Sequence, residues 1–143
     1  MHEDNELALK INVKAGERIV INGAVVTIGD GISYLVLQNH ATFLREKDIM
    51  QEDEANTPAK RIYFHLLCMY LDQESYENYY PSFMDRMIDL LKTTSIADVR
   101  DILMNIFRCV QGRQFYQALK ACRALVNFET ELLTATGTRP SRV

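Results

Sequence analysis

Two groups of side chains in this sequence have the types and spacing needed to hold an anionic polymer. In Leu44-Arg45-Glu46-Lys47-Asp48-Ile49, Arg45 and Lys47 stand where a strand is expected to end. The planar arginine fork can donate two parallel hydrogen bonds to a phosphate or a guanine edge, so one well-set Arg45 could contribute specificity. The other reading of the segment is a local network of ion pairs that pins a sheet to the chain beyond it. Farther on, Arg113, Tyr116, Lys120 and Arg123 recur at i, i+3, i+7 and i+10. On a helix that spacing makes a stripe of cations and one aromatic ring, suited to following a phosphate backbone while stacking a base. The solvated side of any amphipathic helix can look the same. Residue types alone leave both pairs of readings open.

Other chemistries find no support. The sequence has no phosphate-binding loop, nucleophile elbow or paired-histidine zinc motif, and its glycines fall at turns, so neither a catalytic residue nor a cofactor is expected. His2, His40 and His65 are scattered, and Cys68, Cys109 and Cys122 lie far apart inside apolar patterns. No metal site is expected, and the cysteines read as reduced core residues. The formal net charge of −3 removes the simplest route to nucleic acid, the release of counterions by surplus Lys and Arg. Any RNA contact must therefore be local. Hydrophobic residues make up 48% of the 143, enough for a compact core. The opening MHEDNELALK is acidic where a signal peptide is basic, and no stretch approaches the roughly 20 apolar residues of a membrane span. A cytoplasmic protein without membrane contact is the expectation.

The elements that must position these residues change character midway. From Leu7 to Arg45, short apolar and β-branched runs are cut by turn residues, the pattern of antiparallel strands. Leu7, Leu9, Ile11 and Val13 alternate with polar neighbours, and Asn22-Gly23 suits the positive φ angles of a type I′ hairpin turn. Ile32 to Leu37 is continuously apolar, which predicts a central strand. About five short strands are expected in all, in a β subdomain over residues 7–50.

After an acidic linker, Thr57-Pro58 reads as an N-cap followed by proline at the first helical position. The first helix, through Leu71, is apolar nearly all round and so needs cover on most sides. A second helical segment carries Tyr76, Tyr80, Phe83, Met87 and Leu90, with Pro81 starting or kinking a helix. Ser95 and Asp98 are spaced as a capping box for a third helix, whose stripe Ile96, Val99, Leu103, Ile106 and Val110 ends near Gly112. A fourth runs from about Arg113 to Leu133 and should bury Phe115, Leu119, Cys122 and Val126. The fold class is thus α+β: an N-terminal antiparallel sheet, a helical subdomain over residues 58–133, and a mobile tail over residues 134–143.

Two stretches, LVLQNHATFLREKDIM followed by ANTPAKRIYFHLLCMYLD, resemble the central signature of the FlbT family, and KINVKAGERIVINGAVV resembles its opening strands. The similarity runs from about Leu7 to Leu133. It implies a flagellum-biogenesis protein that binds the untranslated 5′ leader of flagellin mRNA, alters its translation or stability, and has the small regulator FlaF as partner. The strands are also similar to those of the carbon storage regulator CsrA. Gly16-Glu17, the hairpin and the Arg45-Glu46 strand end come in the same order, which makes Arg45 the counterpart of an RNA-contacting arginine.

Two functions follow as expectations. One is a selective mRNA-leader binder, with Arg45 and Lys47 at the sheet edge and Arg113, Tyr116, Lys120 and Arg123 as a second surface. The other is an adaptor or chaperone-like protein whose apolar helices hold FlaF, flagellin or a flagellin-derived helix. A small sheet with open edges and an all-round apolar first helix also predict a homodimer.

Overall fold

The computed structural model describes residues 8–135. Leu7 and residues 136–143 of the expected tail lie outside them. The chain divides into two compact units between Ile49 and Met50.

In the first unit, alternation produces five short strands in two antiparallel sheets. Strand β1 (Leu9–Asn12) pairs with β4 (Tyr34–Leu37), and β2 (Arg18–Ile21) lies between β3 (Ala24–Thr27) and β5 (Phe43–Arg45). Asn22 and Gly23 adopt φ angles of 49° and 83°, as the two-residue hairpin between β2 and β3 requires. Asn22 also fixes the hairpin tip to the start of β5, because its Oδ1 accepts the Thr42 amide at 2.9 Å and the Thr42 hydroxyl at 3.2 Å. Ile11, Val13, Ile19, Ile28 and Phe43 form the core, flanked by half-buried Ile21, Val26, Leu35 and Leu37.

The expectation of a central strand over Ile32 to Leu37 is corrected. β4 pairs with β1 alone, and Tyr34 and Val36 are exposed while Leu35 and Leu37 turn inward. The run is apolar on both faces, but only one face meets the core.

The second unit is helical. Thr57 caps α1 (Pro58–Leu71) by accepting the Lys60 amide at 3.3 Å, with proline in the first turn where its missing N–H costs nothing. The Thr57 hydroxyl donates to Glu129, and the same carboxylate accepts the Ala59 amide at 3.1 Å, so one distant acid completes the cap. Helix α1 lies between α2 (Tyr80–Thr93) and α4 (Phe115–Ala135), while α3 (Ala97–Gln111) packs on α4. Ala59, Ile62, Tyr63, Leu66, Leu67, Met69 and Tyr70 are all buried, so most of the apolar surface of α1 is covered, and Leu71 at its end is exposed.

A 3₁₀ segment, Gln73–Asn78, precedes α2, so Tyr76 stands outside the helix and Pro81 falls in its first turn. The expected Ser95–Asp98 capping box does not form. The N-cap is Ile96, whose amide donates to the Thr94 hydroxyl at 3.2 Å; that local turn starts the helix one residue later.

The fourth helix also starts later than Arg113. Cys109 accepts the Gln114 amide at 2.8 Å and Val110 the Arg113 amide at 3.0 Å, the paired closure of a Schellman motif on α3. The left-handed position of that motif belongs to Arg113 (φ 59°) rather than to Gly112 (φ −87°). Thr134 and Ala135, placed in the tail by sequence, continue α4. Leu125 is buried and Val126 half-buried, the reverse of the weight given them by spacing. Cys122 is fully buried with its thiol 3.7 Å from the Ala59 carbonyl, and burial pushes its ionisation up; the half-buried Cys68 shifts the same way for the same reason.

Candidate nucleic-acid interface

Arg45 closes β5 with its guanidinium engaged inside the first unit. Nη1 pairs with the Glu17 carboxylate, and Nη2 donates to the Asn12 carbonyl at 2.8 Å. Its guanidinium carbon also lies 5.8 Å from the Phe43 ring centroid. One side chain thereby joins β5, the end of β1 and the β1–β2 connection. The Arg45 hydrogen bond, helped by the Lys14 amide, holds Glu17 below the usual carboxylate range. The next residue pairs too: Glu46 meets Arg18 at 3.3 Å, both well exposed. Lys47 is exposed on the 3₁₀ turn Glu46–Asp48. The segment therefore contains the ion-pair network that its residue types allowed, and an RNA phosphate reaching Arg45 must compete with Glu17.

The second group divides. Tyr116 and Lys120 sit one turn apart on α4, with the Lys120 ammonium 5.7 Å from the Tyr116 ring centroid and that ring 5.5 Å from Tyr70. Arg123 is half-buried farther along the helix. Arg113 is off the helix, and its left-handed backbone carries the guanidinium 4.1 Å above the ring of Tyr76. Tyr76 in turn contacts Phe115 at 5.7 Å and Tyr80 at 6.3 Å. Sequence periodicity missed Tyr76 as a member of this site, because its partner is reached through the loop after α3. The i, i+3 arithmetic could not show a pairing set by the tertiary fold. A signal was present only in the density of tyrosines around residues 70–80.

The helical unit thus offers two exposed cations, each stacked on a tyrosine, while the sheet unit offers an anchored arginine. No helix among the described residues is long and apolar enough to cross a membrane.

Two small antiparallel sheets followed by a unit of four α-helices, with cation–tyrosine pairs on the helical unit, define an α+β protein. The family described as "Flagellar protein FlbT" matches residues 9–133, and the chain belongs to it. It is 45% identical over 127 residues to the probable flagellum biosynthesis repressor protein FlbT of Caulobacter sp. (strain K31), covering 89% of this chain and 97% of that one. It is 42% identical to the flagellum biosynthesis repressor protein FlbT of Caulobacter vibrioides (strain ATCC 19089 / CIP 103742 / CB 15), over 89% and 90% of the two chains. A relative from Chelativorans sp. (strain BNC1), named as a probable repressor of the same kind, is 35% identical over 88% and 86%. No solved structure matches the chain.

Proposed function

We propose that this protein is a non-enzymatic, cytoplasmic regulator of flagellum synthesis that binds the 5′ leader of flagellin mRNA and represses its use. Membership of a family whose relatives are named as flagellum biosynthesis repressors supports the regulatory part. The observation that carries the RNA-binding part is the pair of cation–tyrosine stacks in the helical unit, Arg113 on Tyr76 and Lys120 on Tyr116. Each puts an exposed positive charge beside an aromatic face, the combination that binds a phosphate and a base of a single strand. Lys47, and Arg45 once released from Glu17, give the sheet unit contacts of its own. Specificity comes from few contacts, in keeping with a chain of net charge −3.

The reading is tested by replacing Arg113 and Lys120 together with alanine. Affinity for every RNA should fall alike and the salt dependence should become shallower, as expected when phosphate contacts are lost. An unchanged salt slope would return both cations to ordinary solvated surface.

Exposed Leu71, Ile88 and Met104 favour a second reading, an adaptor whose helical unit holds FlaF or flagellin. Folded protein that binds FlaF and ignores the leader at low salt would support it.

A further inference from the structure

The outward face of the β1–β4 pair has no role in the core or in the site described above. Ile11 of β1 and Val13 just beyond it, with Leu35 and Leu37 of β4, turn to the core, so strand alternation puts Lys10, Asn12, Tyr34 and Val36 together on the opposite face. All four are exposed. Tyr34 keeps 52% of its surface accessible and Val36 42%. The register sets Lys10 opposite Val36 and Asn12 opposite Tyr34, which makes Lys10 and Tyr34 diagonal neighbours; the Lys10 ammonium lies 4.7 Å from the Tyr34 ring centroid. None of the four carries a negative charge, although acids outnumber bases in the chain 19 to 16. The carbonyl of Asn12 is also the acceptor of Arg45, so this face adjoins the anchored arginine.

We infer that Tyr34, Lys10 and Asn12 form a stacking platform for one nucleotide of single-stranded RNA, a deepening of the leader-binding reading on which it rests. An incoming base takes the ammonium's place over the Tyr34 ring, since base stacking on an aromatic side chain outweighs an exposed cation–π contact. The displaced ammonium stays tethered on the neighbouring strand and meets the phosphate of the same nucleotide. The Asn12 amide, with both donors and an acceptor, lies beside the ring to bond the base edge. A sheet face with an exposed aromatic and a flanking cation is suited to splayed single-stranded bases and not to duplex RNA, whose bases stay stacked inside. Val36 extends the apolar floor under the base.

The test uses the full chain, the flagellin leader RNA and a short single-stranded adenosine homopolymer as probes. Tyr34→Leu, which retains apolar bulk but removes the ring, should weaken binding of both RNAs about tenfold, and Tyr34→Phe should restore it. Lys10→Gln should make the salt slope shallower by about 0.7, the value for one phosphate contact on a single strand. Wild-type affinity in a folded Tyr34→Leu protein would overturn the platform while leaving leader binding intact. Failure of the wild-type protein to bind either RNA would overturn both. A Tyr34→Leu protein that loses FlaF but keeps RNA would assign the face to protein and overturn the inference.

Discussion

Arg45 and Glu17 are joined by an ion pair that ties the last strand of the sheet unit to the β1–β2 connection, and the other arm of the same guanidinium reaches the Asn12 carbonyl at 2.8 Å. The residue best suited by sequence to contact RNA is thus also a fastener of its own fold. Arg45→Ala is expected to weaken leader binding by about 1–3 kcal/mol and to lower the unfolding midpoint as well. Arg45→Lys separates the two roles: a lysine supplies charge to a phosphate but cannot span Glu17 and Asn12 at once. It should keep more of the RNA affinity than of the stability.

The pair also sets a pH dependence. Glu17 titrates below its ordinary value of 4.5 in the folded protein because Arg45 hydrogen-bonds its charged form. A depressed folded value means that its stabilising contribution is fully present above about 4.5 and is lost as pH falls through the lower, folded value. Glu17→Gln should remove this component, leaving the sheet unit less stable at neutral pH but less sensitive to acid. Thermal unfolding followed from pH 7 to pH 3 checks it; parallel curves for the two proteins would contradict it.

Arg113 pays a backbone penalty to reach Tyr76. A left-handed residue with a side chain costs about 1–2 kcal/mol relative to an unstrained one, while an exposed cation–π contact returns about 0.5–1 kcal/mol. Arg113→Gly should therefore leave stability nearly unchanged or slightly raised, and Arg113→Ala should fall about 1 kcal/mol below the glycine variant. Urea unfolding measures both. If both variants also lose RNA affinity equally, the side chain acts through its contacts with RNA and not through the fold.

Much of this architecture was legible in the sequence where a local rule acts by itself. Asn22-Gly23 specified its turn, Thr57-Pro58 the start of its helix, and short apolar runs cut by turn residues the five strands, since each signal is carried by neighbouring residues. Tertiary choices were not legible. The apolar run around Tyr34 looked central because both its faces are greasy, yet only Leu35 and Leu37 found a core. The helix does stop at Gly112 as its position suggested, but the left-handed residue that closes it is Arg113. The candidate stripe was read as one helical face, and the loop conformation at Arg113 divided it between Tyr76 and Tyr116.

Glu129 should prove as important to α1 as the cap residue itself. Its carboxylate accepts from the Thr57 hydroxyl and from the amide of Ala59, which is 1% exposed. Glu129→Ala leaves that buried donor unsatisfied and should cost about 1–3 kcal/mol. Glu129→Gln, which keeps an acceptor oxygen in place, should cost less. Equal losses in urea unfolding would mean that charge, and not the acceptor geometry, matters at this helix start.

We expect self-association to use the sheet rather than α1, most of whose apolar side chains are buried. The Val13 amide bonds the Ser33 carbonyl, which by strand alternation turns the backbone N–H and C=O groups of Tyr34 and Val36 away from β1, along an open and uncharged edge. Val36→Pro removes one outward N–H without breaking a β1–β4 bond. Light scattering over a concentration series should find a wild-type dimer and a monomeric variant. Leu67→Asp, by contrast, should unfold the helical unit, because it buries a carboxylate among apolar neighbours. A wild-type protein that stays monomeric, or a Val36→Pro protein that stays dimeric, would contradict the edge.

The central claim is direct recognition of a flagellin mRNA leader, and a titration of the purified protein with that leader at several salt concentrations, with and without FlaF, tests it most directly. The account predicts saturable binding that outlasts competition by unrelated RNA and has a salt slope equivalent to only a few phosphate contacts. Folded protein that shows no binding at low salt, in either the presence or absence of FlaF, would contradict it.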